Sequence, residues 1–297
     1  MASKMKMALV KTNRANMPEI NAYYKYFSTR FSVSICTEDD ALSTYDIVWY
    51  FMGRKGYRFH NEQFIIHDFA SLSTPPFAKV KNLIKKMTLS KPDLRVFLND
   101  SIKREMKFND CIPFCYRDMG VDRELFIPQQ VFDFDIVYVG AIAGRNLDKA
   151  LDLLLSYNLG CTITIAGKAD AEFVNKYQGM PVKFLGQVSY AEVASIVSRS
   201  KLCLNWIPDV YPYNIQTSTK FLEYISAGRA VISNSYAWVN EYAKVNNIKY
   251  ININDREDIL SNLNSPKVDL KGFKPYSWSD VISSSGIEMH ISDFFKR

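Results

Sequence analysis

The densest chemical signal in the 297-residue chain is Thr217-Ser218-Thr219-Lys220-Phe221-Leu222-Glu223-Tyr224, followed by Ala227-Gly228 and the apolar run Ala230–Ser233. Hydroxyl residues at a helix start cap its free N–H groups, and the helix dipole favours an anion there. Lys220 and Glu223 stand three apart, so on a helix they share a face. A cation beside a helix N-terminus suits a diphosphate. A carboxylate one turn further on suits a ribose diol, which offers it two hydroxyl donors. The plain alternative is an ordinary capped helix carrying a solvent-exposed ion pair.

Two further places could do chemistry. Val139-Gly140-Ala141-Ile142-Ala143-Gly144-Arg145-Asn146-Leu147-Asp148-Lys149 follows an apolar run and opens a helical pattern, the setting of a phosphate loop without GxGxxG or Walker spacing. Arg145 and Lys149, at i and i+4, are expected to face a bound phosphate together; the alternative is a charged surface helix start. His67, one of three histidines, follows the apolar run Phe64–Ile66. It reads either as a structural hydrogen-bonder or as a catalytic group whose ring Asp68 orients. No His/carboxylate ligand cluster is apparent in the pattern, so no metal site is expected.

The elements that must position these residues alternate along the chain, in the manner of α/β units around a parallel sheet. Strands are predicted at Met7–Val10, Phe31–Ile35, Ile47–Phe51, Phe64–Ile66, Leu94–Leu98 and Cys111–Phe114, with helices at Pro18–Phe27, Pro76–Met87 and Ser101–Phe108. Arg117–Gln130 is polar and irregular and reads as a connection. A second alternation predicts strands at Ile136–Val139, Thr162–Ala166, Val182–Phe184, Leu202–Asn205, Ala230–Ser233 and Tyr250–Ile253. Its helices are Leu147–Tyr157, Ala171–Tyr177, Tyr190–Ser198, Thr219–Ser226, Trp238–Val245 and Arg256–Leu263, and Ser277–Phe295 reads as one last amphipathic helix. The expected architecture is α/β, two Rossmann-like domains facing across a cleft: residues 1–127, residues 128–275, and a C-terminal helix at 276–297 that packs back on the first domain. A ligand would sit at the C-terminal ends of the strands.

Composition agrees with a globular α/β protein: 47% hydrophobic, 23% charged and 14% aromatic. Disordered, collagen-like and disulfide-scaffold classes are excluded. No apolar stretch approaches the ~18 residues of a membrane helix, and Met7–Val10 is too short for a signal-peptide core. Five cysteines without a CxxC pair fit a reducing cytoplasm. The net charge of +6 lies entirely in the first half: residues 1–130 hold 20 Lys+Arg against 14 Asp+Glu, residues 131–297 hold 17 of each. Within Pro76–Met87, Lys79, Lys81, Lys85 and Lys86 alternate with Phe77, Val80, Leu83, Ile84 and Met87, a basic amphipathic helix suited to an anionic membrane surface. The alternative is a solvated helix face. No RNP, helix-turn-helix or zinc pattern accompanies the charge, which argues against nucleic acid.

Taken together, residues from about Phe134 to Leu263 resemble the nucleotide-sugar-binding half of GT-B glycosyltransferases, especially the family 4 group. Gly140, Arg145 and Lys149 match that family's donor-diphosphate loop, with Lys149-Ala150-Leu151-Asp152-Leu153-Leu154 close to its following segment. Thr164-Ile165-Ala166-Gly167 resembles its second strand and loop, and Phe184-Leu185-Gly186-Gln187-Val188-Ser189 the loop that meets the base through backbone groups. Ser218, Thr219, Lys220 and Glu223 match its donor helix, whose glutamate binds the ribose. In the first half, His67-Asp68, Asn99-Asp100-Ser101-Ile102-Lys103-Arg104-Glu105 and Met119-Gly120-Val121-Asp122-Arg123-Glu124-Leu125-Phe126 resemble its acceptor-side strand, its strand-to-helix turn and its domain linker. The chain also departs from the pattern. The family's first acid would fall at 215, where this chain has Ile215, so contact with the sugar passes to Asn214, Gln216 or Asp209. The first glycine loop is replaced by Thr12-Asn13-Arg14-Ala15-Asn16-Met17.

The resemblance implies a retaining, metal-independent glycosyltransferase with no resident cofactor. It would move a sugar from a nucleoside-diphosphate donor, UDP favoured over GDP, to a glycan or lipid-linked glycan in surface polysaccharide, lipopolysaccharide or glycolipid biosynthesis. Lys149, Glu223 and His67 would be the catalytic residues, Gly140, Arg145, Gly167, Gln187, Val188, Ser218, Thr219 and Lys220 further donor contacts, and Asn13, Arg14, His67 and Asp68 the acceptor side. The expected location is cytoplasmic and peripheral at the inner face of the cell membrane. Two alternatives stay open: a GT-B nucleotide-sugar 2-epimerase, and a nucleotide-sugar-binding protein without turnover.

Overall fold

A computed structural model describes residues 4–11, 17, 19–55, 58–266 and 275–296. The chain divides into two compact units, Met1–Gly120 with Tyr276–Arg297, and Val121–Pro275. The division falls at Gly120, earlier than the expected residue 127.

The first unit runs β1 (Lys6–Val10), α1 (Glu19–Phe27), β2 (Ser32–Cys36), β3 (Ile47–Phe51), β4 (Phe64–Phe69), α2 (Ala78–Thr88), β5 (Leu94–Phe97), α3 (Asp100–Met106) and β6 (Phe114–Tyr116). Its strands form one six-stranded sheet in the order β2-β1-β3-β4-β5-β6, every pair parallel. β3 and β4 are buried along their whole length; β3 reads as a continuous apolar run, and β4 as one interrupted by His67 and Asp68. The sixth strand starts at Phe114 because Pro113 has no N–H for the ladder; its carbonyl instead accepts from the Arg95 N–H, 2.9 Å away. The strand predicted at Cys111–Phe114 is therefore displaced towards the C-terminus.

The second unit runs β7 (Phe134–Val139), α4 (Leu147–Ser156), β8 (Ile163–Ala166), α5 (Ala171–Lys176), β9 (Val182–Gly186), α6 (Tyr190–Ser198), β10 (Ser200–Asn205), α7 (Thr219–Ser226), β11 (Ala230–Ser233), α8 (Ala237–Val245), β12 (Ile251–Asn252) and α9 (Arg256–Asn264). Its six strands are again parallel, in the order β12-β11-β10-β7-β8-β9. The chain winds outward from β7 through β8 and β9, then returns to β10 on the other side of β7. The switch point of this sheet thus lies between β7 and β10, where a parallel sheet opens a crevice at its C-terminal edge.

The chain ends in the first unit with α10 (Trp278–Ser284) and α11 (Ile287–Phe295). One helix was expected here; Gly286, at φ +78°, breaks it and heads α11. Trp278, Ile282, Ile287 and Ile291 join the core formed by α1 and one face of β1, β3, β4 and β5. Gly120 runs so close to α10 that a Cβ on it would lie 2.5 Å from the Trp278 Cα.

Candidate functional site

Gly140, predicted for a phosphate loop, and the two later loop glycines Gly167 and Gly186 end three neighbouring strands of the second unit. Gly140 follows β7, Gly167 follows β8 and Gly186 closes β9. Gly140 N–H donates to the Ala166 carbonyl and Gly167 N–H to the Gly186 carbonyl, each at 2.8 Å. A Cβ on Gly167 would sit 2.1 Å from the Gly140 carbonyl oxygen, so only glycine lets the two loops meet. Gly140 holds φ +123°, and a Cβ there would press on the Lys220 ammonium at 3.3 Å. Gln187 is exposed and Val188 partly so, on the stretch between β9 and α6.

Helix α7 reaches this edge through its cap. Ser218 Oγ donates to Asn205 Oδ1 at 2.7 Å, at the end of β10, and accepts from the Phe221 N–H at 3.3 Å. Asn205 Nδ2 in turn donates to Ser233 Oγ and to the Tyr236 hydroxyl. The Ser218 hydroxyl is thereby committed to holding the helix on the sheet. The N–H groups of Thr219 and Lys220 head the helix, where no intrahelical acceptor exists. Lys220 Nζ donates to the Tyr138 hydroxyl at 2.9 Å and lies 4.2 Å from that ring's centroid. The Tyr138 hydroxyl in turn donates to the Ala141 carbonyl at 2.6 Å, pinning the ammonium beside the Gly140 loop.

Glu223, one turn after Lys220, is buried and accepts a hydrogen bond from the Tyr190 hydroxyl at 2.9 Å. Burial pushes its carboxyl up to about 7, against the lowering effects of the Tyr190 hydrogen bond and Lys220; Asp122 adds an upward push. The Tyr190 ring stands edge-on to Phe126 at 5.8 Å, and its phenol is itself raised by burial and by the Glu223 charge. Sequence spacing missed Tyr190 because it heads a different helix; only its neighbour Ser189, which forms a capping box with Glu192, left a local signal.

Arg145 and Lys149 do not share a helix. Asn146 caps α4 in a left-handed conformation after Gly144 at φ +70°, so Arg145 lies outside the helix and the i, i+4 relation is lost. The Arg145 guanidinium instead covers the Tyr213 ring at 4.4 Å, while the Trp206 indole donates to the Arg145 and Asn146 carbonyls at 3.0 and 3.1 Å. Lys149 is exposed in the first turn of α4. Around Ile215, which lies in a single 3-10 turn (Tyr213–Ile215), Asn214 Nδ2 donates to Asp209 Oδ1 at 3.0 Å. Asn214 Oδ1 and Gln216 Nε2, on either side of Ile215, are buried without a hydrogen-bond partner.

In the first unit, His67 and Asp68 point to opposite faces of the sheet, as neighbours in a strand must. Asp68 therefore cannot orient the imidazole. Its carboxylate accepts from Arg117, Trp49 and Tyr23, and Arg117 also pairs with Glu19 at 3.2 Å. Burial raises the Asp68 carboxyl while Arg117 pulls it down; the carboxylates of Asp68 and Glu19 hold Arg117 protonated against its own burial. His67 is 1% exposed between the Tyr50 and Phe69 rings, and its Nε2 has no hydrogen-bond partner. Burial, with Arg95 and Arg54 nearby, lowers its pKa to about 3, so the ring stays neutral. Asn13 and Arg14 lie outside the described residues. Among the described residues no group of three His, Cys, Asp or Glu side chains could hold a metal ion.

Two parallel sheets with this connectivity define the GT-B fold of glycosyltransferases, and solved structures carry the same likeness. AviGT4, a glycosyltransferase involved in avilamycin A biosynthesis, superposes with TM-score 0.66 at 11% identity over 99% of both chains. HepE of Anabaena, solved with UDP and glucose, gives 0.62 at 10% identity over 97% of this chain and 95% of its own. A protein of Listeria monocytogenes described as a UDP-N-acetylglucosamine 2-epimerase gives 0.61 at 11% identity, over 99% and 97%. No family model and no curated protein sequence matches the chain.

Proposed function

We propose that this protein is a glycosyltransferase that moves a sugar from a nucleoside-diphosphate sugar, UDP favoured, to a hydroxyl of a glycan or lipid-linked glycan. The observation that carries the reading is the convergence of a buried carboxylate, an anchored ammonium and a capped helix start on the glycine-ended edge of one sheet. The Glu223 carboxylate suits the ribose diol. Lys220, Arg145, Lys149 and the N–H groups of Thr219 and Lys220 suit the diphosphate, and supply the charge that a departing nucleoside diphosphate needs. Gly140 and Gly167 suit a close approach of backbone to the phosphates, and Gln187 and Val188, after β9, suit contact with the base. The unpartnered atoms of Asn214 and Gln216 suit sugar hydroxyls, taking over from the acid that Ile215 replaces. HepE, solved with UDP and glucose, supports UDP as the nucleotide.

The reaction breaks the bond from the anomeric carbon to the phosphate oxygen and forms one to the acceptor oxygen on the same face. The departing phosphate takes the acceptor proton, and the chain's own cations offset the charge it gathers. His67, buried and neutral, is assigned no step in this scheme; the acceptor is assigned to the first unit. A glycan or lipid-linked acceptor of surface polysaccharide would be met at the inner face of a cell membrane, where a peripheral enzyme works.

The test is a thermal-shift screen against nucleoside diphosphates and their sugars, followed by product analysis. UDP and a UDP-sugar should raise the melting temperature, and Glu223→Ala or Lys149→Ala should abolish transfer with folding retained. Full activity in both variants would remove the donor assignment. Asn214→Ala with Gln216→Ala should weaken binding of the UDP-sugar and leave UDP binding intact. An epimerised free sugar instead of a glycosylated acceptor would favour 2-epimerase chemistry at the same nucleotide seat.

A further inference from the structure

Helix α2 presents its most apolar side to solvent. Only Ala78 and Asn82 are buried, the latter fixed by accepting from the Ser73 N–H at 2.9 Å. At about 100° per residue, Val80, Leu83, Ile84 and Met87 form a stripe about 100° wide on the side opposite those two. Together with Phe77 at the cap, these side chains are 50–76% exposed, an unusual concentration for a helix on a globular surface. Lysines border the stripe on both sides: Lys79 and Lys86 on one flank, Lys81 and Lys85 on the other. Between Asp68 and Asp93 the chain carries five lysines and no acidic residue.

We propose that this face seats the protein on an anionic bilayer: Phe77, Val80, Leu83, Ile84 and Met87 enter the headgroup–acyl boundary, and the flanking lysines meet the lipid phosphates and carboxylates. The inference rests on the peripheral location proposed above, and adds that insertion of the stripe, with charge as its complement, provides the hold. An apolar stripe bordered by cations on both flanks matches a helix lying in the interfacial plane. Charge also decides between occupants. A second copy of the chain docked through this face would bring eight lysines together with no acid on the helix itself to offset them, whereas an anionic lipid surface supplies the counter-charge.

The test uses the full chain in sedimentation with vesicles of phosphatidylcholine alone and with added phosphatidylglycerol. The protein should partition onto the anionic vesicles only. Leu83→Ser with Met87→Ser should lower that partition about tenfold or more, and so should glutamine at all four lysines. All these positions are exposed or partly so, and UDP-induced thermal shifts measured without vesicles report whether each variant keeps its fold and its nucleotide seat. Met87→Trp should show blue-shifted, quench-protected fluorescence on anionic vesicles. Absence of partition by the parent protein overturns the proposal. So does unchanged partition of the serine variant, which would leave surface attraction without insertion, and so does a parent dimer that the serine variant dissolves. A failed UDP shift with intact vesicle binding would count against the donor reading alone.

Discussion

In the proposed reaction Glu223 meets the ribose, and its protonation is set by where it is buried. The carboxylate form is the one that can accept two hydrogen bonds from a diol, so with a pKa of about 7 UDP affinity should rise with pH. Below that midpoint the gain is roughly tenfold per pH unit. Stability runs the other way. A carboxyl whose folded value is raised stabilises the fold most below the ordinary carboxylate range and loses that contribution as pH climbs to about 7. Tyr190→Phe keeps the ring against Phe126 but removes the hydrogen bond that favours ionised Glu223, so the midpoint of UDP binding against pH should move upward. Isothermal titration across pH 6 to 9 (about three units) checks this; an unmoved midpoint would mean that Tyr190 does not act through Glu223.

Among the elements, the ends of β7 and β8 need glycine for a reason visible only in space. The glycines were read as loop glycines near a phosphate; the structure shows that Gly167 is required by the carbonyl of Gly140 as well. Gly167→Ala forces two backbones apart and should cost about 1–3 kcal/mol, seen in urea unfolding, with weakened UDP binding. α7 matches its expected bounds because its cap, its amphipathic face and its glycine stop are all local signals. The division of the last helix at Gly286 was less legible, since apolar residues keep a helical spacing on both sides of the break.

For the molecule as a whole, the buried charges of the first unit tie distant segments together. Arg117, directly after β6, joins Glu19 of α1 and Asp68 of β4 across 98 and 49 residues of sequence. Arg117→Met would leave two buried carboxyls without their counter-charge and should lower the unfolding free energy by about 3–5 kcal/mol, measured by urea denaturation. Recovery of part of that loss in Arg117→Met with Asp68→Asn would assign the cost to the stranded charge.

Much of this protein was legible in the chain itself. Alternating apolar runs, caps and glycine stops are local, and they located most strands and helices and singled out Gly140, Gly167, Lys220 and Glu223, the residues proposed to meet the donor. Tertiary structure alone decided which groups face each other. It gave Asp68 to Arg117 rather than to His67, because adjacent strand residues point to opposite faces. It separated Arg145 from Lys149 by a left-handed cap, brought Tyr190 onto Glu223 from another helix, and turned the apolar stripe of α2 outward. Each of these depends on pairings between segments far apart in sequence, which local periodicity does not encode.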